Sequence, residues 1–311
     1  MMGKYVFGVD LGGTTVKLGL FTTEGEVLDK WEIKTDTSDN GKNILPDIAK
    51  AILDKIEEKN IDKALVEGAG IGVPGPVDTN GIVNKAANLG WGVFNLEEEF
   101  SKLTGLKVKG ANDANVAALG EMWKGAAKGY KSIVMVTLGT GIGGGIIIDG
   151  KVVAGSTGAG GEIGHIHVKD GEPETCGCGN HGCFEQYGSA TGIVRIAKKY
   201  LGKSIPTVLS EGEVTAKSIF DAYKAGDEIA KEILAEYFEM LGKGLGIIGS
   251  IINPEVFVIG GGVSKAGAVI TDNVVKYYND YVFHASRDVK FVLAELGNDA
   301  GIYGAAKLVL E

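Results

Sequence analysis

Apolar positions cluster at 4–10 and 16–21 around the turn DLGGTTVK, which predicts two strands joined by a tight glycine turn. Residues 26–34 read as a third strand. Ile44, Ile48, Ile52 and Ile56 recur every four residues, so 43–59 predicts an amphipathic helix. The run 64–73 reads as a buried strand that ends in GVPGPVD, residues 72–78, where two prolines and two glycines make a rigid loop. A short strand at 106–110 precedes ANDANVAALGEMW, where Asn112 or Asp113 caps a helix. Residues 133–150 repeat the opening pattern: strand, Leu-Gly, threonine and glycines, strand. The two hairpins lie about 128 residues apart, which reads as an internal duplication. Farther on, Ile229, Ile233, Tyr237, Leu241, Leu245, Ile248 and Ile252 share one face of a long helix at 229–252, ended by Pro254. VFVIGGGVSK at 256–265 is a buried strand running into three glycines and another helix, and NDAGIYGAAKLVL closes the chain as a helix.

Composition narrows what this α/β pattern can do. The 311 residues are too many for one typical core, so two domains are the default. Hydrophobic residues at 44% and charged residues at 23% are ordinary for a globular chain. Glycine is not: 50 residues is more than twice the usual ~7%. These glycines are not periodic, and they gather between apolar runs as in backbone-built binding loops. A formal charge of −9 and only two arginines, Arg195 and Arg287, argue against a nucleic-acid partner and an arginine phosphate clamp. No apolar run reaches transmembrane length, and MMGKYVFGVD enters a strand without a signal-peptide pattern, so a cytoplasmic location with no membrane partner is expected.

Four stretches carry candidate chemistry. Between the first two strands, the N–H groups from Gly12 to Thr15 form a phosphate loop, with hydroxyl donors on Thr14 and Thr15. Asp10, at the strand end, can hold Mg²⁺ through water. A plain turn would explain one such hairpin; the second, at 137–145, favours a nucleotide. GIGGGI at 141–146 formally matches a dinucleotide fingerprint, but it leads into IIIDG, a strand rather than a helix. Cys176, Cys178 and Cys183 in CGCGNHGC supply three sulfurs for a zinc site, with His165, His167 or His181 as the fourth ligand. Four such ligands close the tetrahedron, so the metal is structural. In NDAN, Asp113 is either a simple helix cap or a general base kept ionised by the helix N-terminus. In GEIGHIH, Glu162 and His165, with Glu185 beyond the cysteines, suit sugar hydroxyls or form a surface charge cluster.

Together, DLGGTTVK, GVPGPVD, NDAN, TLGTGIGGG, GEIGH and CGCGNHGCFE occur in the order found in the ROK family of bacterial sugar kinases and regulators, which the chain resembles from Val9 to its C-terminal helix. The resemblance implies an α/β, actin-like ATPase fold of ribonuclease-H-like lobes with a central ligand cleft: a small lobe at 1–115 with 298–311, and a large lobe at 116–297 carrying the zinc loop. It implies ATP-dependent phosphorylation of D-glucose at its 6-hydroxyl, with Asp113 as the base. Gly75, Asn88, Asn112, Glu162, His165 and Glu185 would bind the sugar. Asp10, Gly12, Gly13, Thr14, Thr15, Lys17, Thr140 and Gly141 would hold Mg·ATP phosphates, and Gly261 and Gly262 the adenosine. His165, Cys176, Cys178 and Cys183 would hold zinc, with His167 as the rival ligand. A homodimer is the family-level expectation. The alternatives are a kinase for mannose, fructose, allose or an N-acetylhexosamine such as N-acetylmannosamine, and a sugar-sensing regulator. The regulator is disfavoured by a phosphate loop that begins at residue 10 and leaves no room for a helix-turn-helix domain.

Overall fold

The computed structural model describes residues 4–201 and 206–311, omitting the side chain of Glu211. The first three residues of the N-terminal stretch therefore lie outside it. The chain forms two compact units, one of Met1–Ile133, Gly145–Gly161 and Glu295–Glu311, the other of Val134–Gly144 and Glu162–Ala294.

The first unit begins with β1 (Tyr5–Leu11), β2 (Thr15–Thr22), β3 (Val27–Lys34), α1 (Ser38–Gly41) and α2 (Ile44–Glu58). It continues through β4 (Val66–Val73), β5 (Ile82–Val83), β6 (Phe94–Asn95), α3 (Leu96–Thr104), β7 (Val108–Asn112) and α4 (Asp113–Lys124). β8 (Ile133–Leu138) lies in the second unit after its first residue, β9 (Ile142–Ile148) passes from the second unit into the first at Gly145, and β10 (Lys151–Val152) belongs to the first. The second unit adds α5 (Glu185–Gly188), α6 (Ala190–Leu201), α7 (Ala216–Lys224), α8 (Glu228–Ile252), β11 (Val256–Gly260), α9 (Ala268–Tyr281) and β12 (Lys290–Leu293). The closing helix α10 (Ala300–Val309) returns to the first unit.

The strands make two five-stranded sheets of corresponding order, β3-β2-β1-β4-β7 and β10-β9-β8-β11-β12. The repeated hairpins read from the sequence occupy the same place in each. In the first sheet β1, β4 and β7 are parallel and β2 pairs antiparallel with both β1 and β3, so the carboxyl ends of β1, β4 and β7 lie on one edge. Such an edge is where open α/β sheets bind ligands. One face of this sheet buries Ile44, Ile48, Ile52 and Ile56 of α2, the four isoleucines of the predicted stripe. The other face is covered by α10, whose Ile302, Ala306 and Val309 pack on Val6 and Phe21. In the second unit α8 is buried along the predicted face from Ile229 to Ile248, while Ile252 is only half-buried at the end. Asn253 ends that helix in the left-handed conformation, directly before Pro254.

The division differs from the expected lobes: residues 116–133 and 145–161 belong with the first unit. Small residues are the physical reason. A Cβ on Gly304 of α10 would fall 1.5 Å from the Val116 carbonyl oxygen of α4, and one on Gly145 would fall 2.4 Å from that of Ala114. Without side chains at these positions, backbones meet directly and bind the segments into one body. The dinucleotide reading of GIGGGI fails as its context suggested, because β9 covers that stretch.

Candidate active site and metal centre

In the first unit, the β1–β2 hairpin is closed by the Gly12 N–H donating to Thr15 O at 3.1 Å. Thr35, just past β3, steadies it: its N–H donates to Thr14 O at 3.0 Å and its hydroxyl to Gly12 O at 2.7 Å. With those carbonyls occupied, the exposed tip at Gly13 and Thr14 is the part available to an anion. No atom lies within 4 Å of a Cβ placed on Gly13, so the protein itself leaves that approach open. Thr35 is a residue sequence reasoning missed; it stands outside every glycine motif.

Asp10, one residue before the end of β1, lies opposite Lys17 of β2 and in register with Gly72 of β4. Burial pushes its carboxyl up to about 6, against the pull of Lys17 and with a further push from the like charge of Asp113. Lys17 donates to the Asn298 carbonyl at 3.1 Å. Asn112 pairs with Val73 at the parallel end of β7 and is the N-cap of α4. Its Oδ1 accepts from the Ala114 and Asn115 N–H groups, and its Nδ2 donates to Gly75 O at 3.3 Å. Of the two cap candidates the structure thus selects Asn112. Asp113 is left exposed, one oxygen accepting from the Ala114 N–H at 2.8 Å. Gly75 has φ of +154° and lies against the Lys85 carbonyl, a position closed to a side chain. Asn88 is exposed in the 3₁₀ turn Ala87–Leu89. That turn is fastened by Trp91, which bridges Ala86 and donates from its buried indole to Gly41 O at 3.1 Å. Trp91 is a second support with no motif of its own.

In the second unit, His165, Cys176, Cys178 and Cys183 bring one ligand atom each within 4.8 Å of one another. Cys178 Sγ and Cys183 Sγ are 3.6 Å apart, and Cys176 Sγ lies 3.7 Å from His165 Nδ1. Three sulfurs and one imidazole nitrogen match the donor set of a closed tetrahedral zinc site. The rival histidines are engaged elsewhere. His167 uses Nδ1 on His181 O and Nε2 on Asp170, both at 2.9 Å, and His181 Nδ1 meets Glu172 O at 3.1 Å. Burial pushes the Cys176 thiol up to about 12, and it donates to Glu185 Oε1 at 2.9 Å. A cation at the centre competes for that proton. The other imidazole nitrogen of His165, Nε2, faces Glu162 at 4.0 Å. One ring therefore faces Cys176 and Glu185 with Nδ1 and Glu162 with Nε2.

The second hairpin turn, Gly139–Gly141, is closed by the Gly139 N–H donating to Gly141 O at 3.0 Å. A Cβ on Gly141 would meet Glu185 Oε2 at 2.4 Å, so the turn lies directly on that carboxylate. Gly261 packs its Cα on Leu138, whereas Gly262 faces open space. A cavity of about 510 Å³ beside the turn is lined by Thr140, Thr191, Lys198 and Thr215. Of the expected site residues, the first unit gathers Asp10 through Lys17, Gly75, Asn88, Asn112 and Asp113 along one sheet edge and its loops. The second gathers Thr140, Gly141, Glu162, His165, the cysteines, Glu185, Gly261 and Gly262. Among the described residues no helix is long and apolar enough to cross a membrane.

Known proteins resemble this chain along its whole length. A glucokinase of Halalkalibacterium halodurans is 40% identical over 316 residues, covering 99% of this chain and 96% of that one. A glucokinase of Thermotoga maritima is 39% identical over 315 residues, covering 98% and 97%. The crystal structure of a ROK family glucokinase from Streptomyces griseus, in complex with glucose and AMPPNP, superposes with a TM-score of 0.74 at 35% identity over 98% of both chains. The mixed α/β architecture is thus the actin-like ATPase fold of these sugar kinases. Residues 6–311 match the model of the ROK family, and the chain belongs to that family.

Proposed function

We propose that this protein is a glucokinase, transferring the γ-phosphoryl group of ATP to the 6-hydroxyl of D-glucose. The observation that carries the reading is Asp113: an exposed carboxylate at the carboxyl end of a parallel strand, in the same unit as an open phosphate-loop hairpin. The similarity to glucokinases along the whole chain supports ATP and glucose as the substrates.

Asp113 takes the proton of the 6-hydroxyl as the oxygen attacks the γ-phosphorus, and the bond to the β,γ-bridging oxygen breaks. Asn112 keeps a second amide hydrogen, beyond the one given to Gly75, for a sugar hydroxyl. Glu162, His165 and Glu185 accept from or donate to the remaining hydroxyls, with Gly75 and Asn88 completing the sugar contacts. The two hairpins, through Gly12, Gly13, Thr14, Thr15, Thr140 and Gly141, hold phosphates, Lys17 lies behind the first, and Gly261 and Gly262 flank the adenosine. Mg²⁺, held by Asp10 through water, neutralises phosphate charge when bound. Zinc on His165, Cys176, Cys178 and Cys183 is structural: it stiffens the segment that carries His165 and Glu185. The working form is taken as a cytoplasmic homodimer.

Sugar-dependent ADP release with Mg·ATP tests this directly. Glucose is expected to give the highest kcat/KM among glucose, mannose, fructose, N-acetylglucosamine and N-acetylmannosamine. A preference for another sugar overturns the substrate; no release with any overturns the activity. Elemental analysis is expected to find one zinc per chain, lost in Cys178→Ser. Active protein free of zinc would overturn the metal assignment.

A further inference from the structure

The junction between α5 and α6 joins the two ends of the second unit's site. Ser189 is fully buried there. Its hydroxyl donates to the Glu185 carbonyl oxygen at 2.6 Å and accepts from the Gly192 N–H at 3.0 Å. One residue on, the Ala190 N–H donates to Gly139 O at 2.8 Å, and next the Thr191 hydroxyl donates to Thr140 O at 2.6 Å. The two hydroxyls themselves are 3.0 Å apart. Three consecutive residues thus hold the backbone of Glu185 on one side and two carbonyls of the second hairpin turn on the other. Capping those carbonyls fixes which way the turn's peptide planes face, and so where their N–H groups point. Thr191 also lines both neighbouring cavities, one with Cys176 and Glu185, the other with Lys198 and Thr215.

From this we infer that Ser189 and Thr191 are positioning residues that couple sugar binding at Glu185 to nucleotide binding at the Gly139–Gly141 turn. The inference rests on the glucokinase reading for the identity of the two ligands. A sugar held by Glu185 restrains the start of α6, and the same restraint orients the turn before the nucleotide arrives. The ordering cost is then met by the first ligand, and the second binds more tightly. Coupling is reciprocal, so the nucleotide tightens the sugar by the same factor.

Calorimetric titration of the metal-replete full chain with Mg·AMPPNP, with and without saturating glucose, measures that factor. In the unmodified protein, glucose is expected to tighten Mg·AMPPNP about fivefold or more, within the usual range for coupled sites. Thr191→Val keeps the shape and removes the hydroxyl; its factor is expected to fall below about twofold, with the affinity for glucose alone unchanged. Thr191→Ser is expected to restore it. Should Thr191→Val fail to fold, Ser189→Ala is read the same way. An unchanged factor in the variant, or a factor of one in the unmodified protein, overturns the inference. A variant that loses thermal stability and weakens both ligands equally shows a structural role only, and also overturns it. Failure of the unmodified protein to bind either ligand instead overturns the glucokinase reading beneath.

Discussion

Asp113→Asn is expected to lower kcat by about 10²–10⁴-fold, the usual worth of a positioned general base. The substitution is conservative for the fold. Asn112, not Asp113, caps α4, with its Oδ1 on two backbone N–H groups. An asparagine at 113 retains an oxygen for the Ala114 N–H that Asp113 now binds. Thermal stability should therefore be little changed, and glucose affinity by calorimetry should stay within about threefold while turnover collapses. The loss falls on kcat because an amide cannot accept the 6-hydroxyl proton. A variant that turns over near the normal rate would remove Asp113 from the chemistry.

Asp10→Asn is expected to act in opposite directions on stability and activity. The Asp10 carboxyl sits at about 6, raised chiefly by burial. A carboxyl raised in this way holds a proton in the folded state that the unfolded chain has already released. Between about pH 4 and pH 6 the folded state binds more protons, so stability falls as pH rises through that window and levels off above it. The shift of about two pKa units corresponds to about 3 kcal/mol, as an upper estimate, of destabilisation at neutral pH. Removing the charge should raise Tm of the ligand-free protein by a few degrees at pH 7.5, with the difference shrinking toward pH 4. The same variant should lose most of its turnover if, as proposed, the charge at the strand end meets the hydrated Mg²⁺ of Mg·ATP. A variant less stable than the parent at pH 7.5 would refute the stability half. Unaltered kcat/KM for Mg·ATP would refute the other.

The residues of both candidate centres were legible because their chemistry is local. Glycines and threonines in a strand–turn–strand pattern mark a candidate phosphate loop from a few neighbouring residues. Cysteines two and five residues apart, separated by glycines, are able to converge on a common centre. The isoleucine stripe of α2 was equally plain, since its period is written in four consecutive turns. Helices α3, α6 and α7 were not assigned; α3 and α7 are short and begin at the side-chain caps Asn95 and Thr215.

The sequence by itself determined the class of fold, the repeated hairpin, the candidate base and the cysteine cluster, each set by neighbours within a few residues. Only the tertiary structure separates the histidines, placing His165 with the three cysteines. His167 and His181 have the same chemistry as His165, but His167 uses both nitrogens on Asp170 and the His181 carbonyl, and His181 uses Nδ1 on the Glu172 carbonyl. It also decided that Asn112 is the cap, that Thr35 and Trp91 support the loops, and that α4 belongs with α10. Those outcomes depend on which backbones come within hydrogen-bonding or van der Waals reach across long stretches of chain. The close contact of Gly304 with Val116, almost two hundred positions earlier, leaves no periodic mark in either segment.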